Sequence, residues 1–211
     1  PAYGGVEVFG CDFAEGKDID DLLEVADKWN KWASKNNSQP YSGYVLQPYY
    51  YDDLDDETYW VGFSPSLAAQ GIVQSEWMSK GAKLQQEFDS VTPCKSHLQL
   101  AWTRVFDETE SPSSQGVVDF AGCAMLPDGS QEKLASADAK MNAFNAEIGS
   151  AVRIYRWYPM QGANADTPEF YQAHWYDSLE ATGAIADYFI TNGGLQIQNA
   201  LYSDLMRCED G

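Results

Sequence analysis

Two six-residue phrases constrain this chain more than any other feature: SLAAQG from Ser66 and SLEATG from Ser178, 112 residues apart. Sliding the sequence on itself by that offset aligns much more. Gly10 and Cys11 fall on Gly122 and Cys123, and Leu22, Lys28 and Asn30 fall on Leu134, Lys140 and Asn142. Tyr59 meets Tyr171, Phe63 meets Trp175, and Gly81 meets Gly193. With slips of one or two residues, Tyr44 and Pro48 meet Tyr155 and Pro159, and Cys94 meets Cys208. Chance similarity would scatter, whereas these matches keep their order and nearly their spacing. The chain is an internal duplication.

Each copy carries the same succession of patterns. VEVFGC alternates and is rich in β-formers, so it reads as a strand. The segment from Asp18 to Asn36 has helical spacing, with Leu22, Leu23, Ala26, Trp29 and Ala33 as its stripe and Asp18 or Asp20 as the cap. Two strands follow around Tyr44 and Tyr59, then a long helix from Ser66, then a strand from Ser96 to Phe106. The second copy repeats this from Gly116 onward. The order β-α-β-β-α-β, met twice, is the ferredoxin-like α+β unit. The expected organisation is a first repeat over 1–106, a linker over 107–116 whose Ser, Pro and Gly suit a connector, and a second repeat over 117–211. After Cys208 three residues remain, so the second copy has a missing or very short last strand. Its first strand, 117–123, is then an open edge for pairing with another chain.

In element order over nearly the whole chain, the sequence resembles tandem members of the dimeric α+β barrel superfamily. That group includes small monooxygenases, EthD-like and NIPSNAP-like proteins, and isomerases. The resemblance implies a pseudo-two-fold pair of sheets packed face to face. No catalytic signature of any one family is matched, so no residue role is carried over.

Cysteine positions follow from the same topology. In the unit, the end of the first strand lies beside the start of the fourth. Cys11 and Cys94 take those two positions in one copy, Cys123 and Cys208 in the other. The expected disulfides are Cys11–Cys94 and Cys123–Cys208. Buried free thiols and a metal site are the alternatives, although no C-x-x-C occurs. Disulfides would place the protein in the periplasm or outside the cell. Charge narrows the partners. The net charge of −19 repels phosphate backbones and anionic membranes, which speaks against nucleic acid. No apolar run approaches the roughly 20 residues of a membrane span. Hydrophobic residues at 44% suffice for a packed core.

Strand alternation divides the sheet residues into two faces. The apolar set, including Val6, Val8, Val61, Phe63, Leu100, Val118, Phe120, Ala173 and Trp157, is assigned to the helix side. The opposite face then carries Glu7, Trp60, His97, Asp119, Arg156, Tyr158, Gln172, His174 and Tyr176. If the sheets face each other, these groups line a polar pocket between them. Asp119 falls about opposite His174, and a carboxylate beside an imidazole prepares a general base. Arg156 and Tyr158 are placed to bind a carboxylate or an oxyanion. Glu7, Trp60, His97, Gln172 and Tyr176 are the expected ligand contacts. Gly62 stands where His174 does in the other copy, so the halves are not equivalent. The bland alternative is a wet, polar sheet face.

Other features carry less. The acidic run from Asp52 to Thr58 lacks EF-hand spacing and reads as a solvated turn. No phosphate-binding glycine loop and no nucleophile elbow occurs. Nothing has metalloenzyme spacing, and a haem iron held through one histidine is a remaining option. The sequence thus points to an exported small-molecule-binding protein or cofactor-light enzyme, moving protons on, or oxidising, a small organic ligand of unknown identity. The alternative is a structural protein that self-assembles through strand 117–123.

Overall fold

The computed structural model describes residues 3–51, 56–106 and 115–210. Most of the acidic run (52–55) and of the linker (107–114) lie outside the described residues. The elements are β1 (Tyr3–Cys11), α1 (Ile19–Asn36), β2 (Ser42–Leu46), β3 (Thr58–Ser64), α2 (Leu67–Lys80), α3 (Ala82–Val91) and β4 (Cys94–Phe106). The second copy adds β5 (Val117–Met125), α4 (Gln131–Glu147), β6 (Arg153–Gln161), β7 (Phe170–Tyr176), α5 (Leu179–Thr191), α6 (Gly194–Tyr202) and β8 (Met206–Asp210). The described residues hold eight antiparallel strands and six helices, a mixed α+β fold made of two ferredoxin-like repeats.

They gather into two compact units. The first comprises the described residues of 3–102 with 159–164, the second those of 103–158 with 165–210. Strand order is β2-β3-β1-β4 in the first unit and β6-β7-β5-β8 in the second. β1 pairs β3 from Gly5↔Ser64 to Cys11↔Thr58, and β5 pairs β7 from Val117↔Tyr176 to Cys123↔Phe170.

The repeated phrase is a helix start. Ser66 accepts a hydrogen bond from the Ala69 N–H at 3.0 Å, and Ser178 from the Ala181 N–H at 3.1 Å, each capping its helix. Asp18 caps α1 and forms a reciprocal capping box with Asp21. The buried stripe of α1 is Leu22, Val25, Trp29 and Ala33; Leu23 is 48% exposed, so Val25 takes the core position expected for Leu23. The long helix expected after Ser66 breaks at Gly81 into α2 and α3, and its counterpart breaks at Asn192–Gly193 into α5 and α6. Gly193 turns with φ +80, a conformation that favours glycine, whereas Gly81 stays right-handed and makes room for the Trp77 indole.

Both expected disulfides form, Cys11–Cys94 with Cα atoms 3.8 Å apart and Cys123–Cys208 at 4.0 Å. Cys208 is the direct register partner of Cys123. β8 is five residues long against thirteen in β4, and it pairs Ala121 to Met125 of β5. The expected open edge is therefore corrected: 121–123 are already paired, and only 117–120 lack a partner on that side among the described residues.

The face assignment is reversed. Ala121 and Cys123 pack with Leu134 of α4, and Arg156 pairs with Asp138 on the same helix. Glu7 bonds Gln74 of α2, and Trp60 stacks edge-on against Trp29 of α1 at 4.9 Å. Glu7, Trp60, His97, Asp119, Arg156, Tyr158, Gln172, His174 and Tyr176 thus lie on the helix-covered faces of their sheets. Val6, Val61, Leu100, Trp157 and Ala173 occupy the opposite faces, and all are at most 4% exposed. Each face carries buried residues, Glu7 and Arg156 on one and Val6 and Trp157 on the other, so apolar character did not mark the helix side.

Candidate functional site

In the first unit α1, α2 and α3 cover β1 and β3, and a cavity of about 90 Å³ remains beneath them. That is several times what one water requires. Four of the seven tryptophans, Trp29, Trp32, Trp60 and Trp77, line it with Tyr41 and Phe88. Their rings meet at steep angles, from 58° for Trp29–Tyr41 to 89° for Trp32–Trp77. Large rings packed edge to face leave gaps that smaller aliphatic side chains would fill.

Glu7 stands on the wall of this cavity and is 2% exposed. Its Oε1 accepts from the Tyr41 hydroxyl at 2.7 Å and from the Gln74 amide, and Oε2 lies 2.9 Å from His97 Nε2. Trp60 Nε1 in turn donates to the Tyr41 oxygen at 3.0 Å. Burial, and then the neighbouring Glu7 charge, raise the Tyr41 pKa well above 10, so the hydroxyl keeps its proton and donates. Glycine explains how Tyr41 reaches Glu7. Gly62 is the register partner of Glu7, and a Cβ there would overlap the Tyr41 hydroxyl. Where the second repeat has a histidine, the first has an empty position filled by a tyrosine from outside the sheet. His97 stacks on Phe9 at 3.7 Å and is 47% exposed, so it links the buried carboxylate to solvent.

In the second unit the expected Asp119–His174 pairing is present. The two are register partners, with Nδ1 and Oδ2 3.5 Å apart. His174 Nε2 lies 3.2 Å from the Gln172 amide nitrogen, and Gln172 Oε1 accepts from Arg156 Nε at 3.2 Å. Arg156 closes a two-pronged pair with Asp138, NH1 to Oδ2 at 2.6 Å and NH2 to Oδ1 at 2.8 Å. The Tyr202 hydroxyl donates to Asp138 at 2.9 Å. Arg156 is thus engaged with a partner from α4 that the sequence reading missed. Tyr158 packs on Phe170 at 5.7 Å. Tyr176 is pushed up to about 12 by burial and by the Asp119 charge.

His174 lowers the Asp119 pKa from its ordinary 3.8 by hydrogen bonding, against the opposing effect of partial burial. A depressed carboxylate stabilises the fold above its unfolded pKa and loses that contribution as pH falls through the folded value. A carbon-13 NMR titration is expected to place the Asp119 midpoint below 3.8 in the wild type and higher in His174→Ala. Equal midpoints would mean the contact does not persist in solution. Neither histidine leaves its Nε2 unengaged, since Glu7 holds one and Gln172 the other. That donor set does not fit a haem iron held through either Nε2.

No protein-family model and no curated protein sequence matches the chain. Its fold does match solved structures. A candidate chlorite dismutase aligns with TM-score 0.59 at 13% identity, over 98% of this chain and 91% of that one. The chlorite dismutase of Candidatus Nitrospira defluvii, solved with imidazole, aligns with TM-score 0.55 at 10% identity, over 98% and 87%. A candidate monooxygenase from Fusobacterium nucleatum subsp. nucleatum aligns with TM-score 0.59 at 7% identity, over 99% and 90%. At these identities the likeness establishes the fold alone, the α+β arrangement of two ferredoxin-like repeats.

Proposed function

We propose that this chain is an exported small-molecule-binding protein with an enzyme-like role, and that its ligand sits in the cavity beneath α1, α2 and α3. One observation carries this reading: a carboxylate 2% exposed on the wall of an aromatic cavity of about 90 Å³. Burying a charge costs several kcal/mol per ion even in a well-bonded site, and a core selected for stability alone fills such space with apolar side chains. Proton transfer is the chemistry the group supports. Tyr41 and Gln74 hold Oε1, so Oε2 is the atom left to take a ligand proton, and His97 leads from it to solvent. His174 with Asp119 is the corresponding acid–base pair in the second unit. The two disulfides support export, because such bonds persist in oxidising compartments. The fold shared with chlorite dismutases and monooxygenases supports the enzyme-like role.

Fragment mixtures titrated into labelled protein test the site. Binders are expected to shift the indole signals of Trp29, Trp32, Trp60 and Trp77 together. If binders move only Trp102, Trp157 and Trp175, or if none binds, the reading falls.

A second reading rests on β5. Residues 117–120 lack a strand partner on one side among the described residues, which supports self-assembly by strand addition. Sedimentation across a hundredfold concentration range separates the two: a constant monomer mass removes assembly as the function.

A further inference from the structure

We propose that the cavity beneath α1, α2 and α3 is built for a small protonated amine. The proposal rests on reading that cavity as a ligand site, and it adds the ligand's chemical class. Donors and acceptors on the cavity wall are unequally engaged. Several donors are spent. The Tyr41 hydroxyl donates to Glu7, the Thr58 hydroxyl to the Leu46 carbonyl at 3.1 Å, and the Gln74 amide to Glu7. The Gln85 amide donates to Asp89 at 2.8 Å, and its oxygen accepts from Trp77.

Acceptors are left over. Glu7 Oε2 has a single partner, His97, where a carboxylate oxygen has room for two. Asn37 Oδ1 and Thr92 Oγ1 are buried without any hydrogen-bond partner, and Thr92 is only 4% exposed. Both residues line the same cavity as Glu7. Buried polar groups are nearly always bonded, so the Thr92 hydroxyl calls for a polar occupant, and the Asn37 and Glu7 oxygens, which can only accept, call for one that donates.

The walls decide the charge of that occupant. No lysine or arginine lines the cavity, whereas four tryptophans, a tyrosine and a phenylalanine do. Aromatic faces attract cations, and an ammonium group in such a box also meets the Glu7 charge. An anion would find the same carboxylate repulsive, and a neutral hydrocarbon would leave the acceptors unmet. The net charge of −19 draws cations toward the whole molecule. Size sets the last limit: about 90 Å³ is below the roughly 150 Å³ of a cavity that accepts benzene. The occupant is an alkylammonium ion with a short carbon chain.

Three two-carbon probes test this: ethylammonium, ethanol and acetate. Binding is read by calorimetry and by the fluorescence of the lining tryptophans. Ethylammonium is expected to bind at least tenfold tighter than ethanol, and acetate not to bind. Glu7→Gln is expected to erase the preference for the cation. Thr92→Val removes the unpartnered hydroxyl with little change in shape, and is expected to weaken the cation severalfold. If ethanol binds as tightly as the cation, the amine assignment is overturned and the cavity stands as a ligand site. If the cation binds but neither substitution affects it, the cation sits elsewhere and the proposal is overturned. If none of the three binds, the cavity reading and the amine assignment fall together.

Discussion

Reducing both disulfides is expected to unfold the protein at ordinary temperature or bring it close to unfolding. Cys11–Cys94 and Cys123–Cys208 close loops of 83 and 85 residues. Cross-linking loops of that length restricts the unfolded chain by about 4.5 kcal/mol each in the chain-entropy account. The sum, about 9 kcal/mol, rivals the whole stability of a typical domain, about 5–15 kcal/mol. For a chain of this size it corresponds to a fall in melting temperature of about 20–35 °C. Calorimetric scans with and without a phosphine reductant measure it, and paired Cys→Ser variants divide it. Each pair should account for about half, because the loops are nearly equal and each bridge lies within its own unit. A reduced protein melting within about 5 °C of the oxidised one would show that the bridges stabilise little. It would also remove the main support for export.

Those bridges were legible in the sequence because two signals coincided. The duplication placed Cys11 on Cys123 and Cys94 on Cys208, and the ferredoxin-like order put the two positions on neighbouring strands. The glycine shared at 81 and 193 was visible at the repeat offset, and both long helices break there. The faces of the sheets were not legible. Val6 is fully buried and its neighbour Glu7 is 2% exposed, so alternation separates two sets without saying which one the helices cover. The rule that polar strand residues face water fails where both faces hold buried residues, as at Val6 and Glu7. A better signal lay in the helices. Asp138 follows Leu134 by four residues, within the buried stripe Leu134, Ala137, Met141 and Asn145 of α4. In α2, Gln70 lies in the buried stripe with Ala69 and Val73, and Gln74 follows it by four. Polar residues inside an apolar stripe require polar partners on the sheet, and Gln99, Glu7 and Arg156 are those partners. The cavity itself had no sequence signal. It arises from how several large rings fail to close on one another, which no spacing rule encodes.

Asp138→Ala is expected to destabilise the second unit by about 3–5 kcal/mol, the cost of stripping one partner from a buried ion pair. Arg156 is 4% exposed and has NH1 and NH2 on Asp138, with Nε on Gln172. Burial disfavours the charged guanidinium, but the Asp138 carboxylate outweighs that effect and holds its pKa above the ordinary value. Without the carboxylate, burial alone remains and the charge has no counterpart. Tyr202 loses its acceptor in the same step, and its pKa, raised first by burial and then by the Asp138 charge, should fall back. Replacing both partners, Asp138→Leu with Arg156→Met, is expected to recover most of the loss, since the desolvation cost leaves with the charges. Urea denaturation of the single and double variants measures the coupling directly. The consequence reaches His174, because Arg156 fixes the Gln172 amide that meets its Nε2. If Asp138→Ala costs less than about 1 kcal/mol, the pair behaves as a hydrated surface contact. In that case Gln172 is not held rigidly, and His174 has no fixed orientation from which to act as a base.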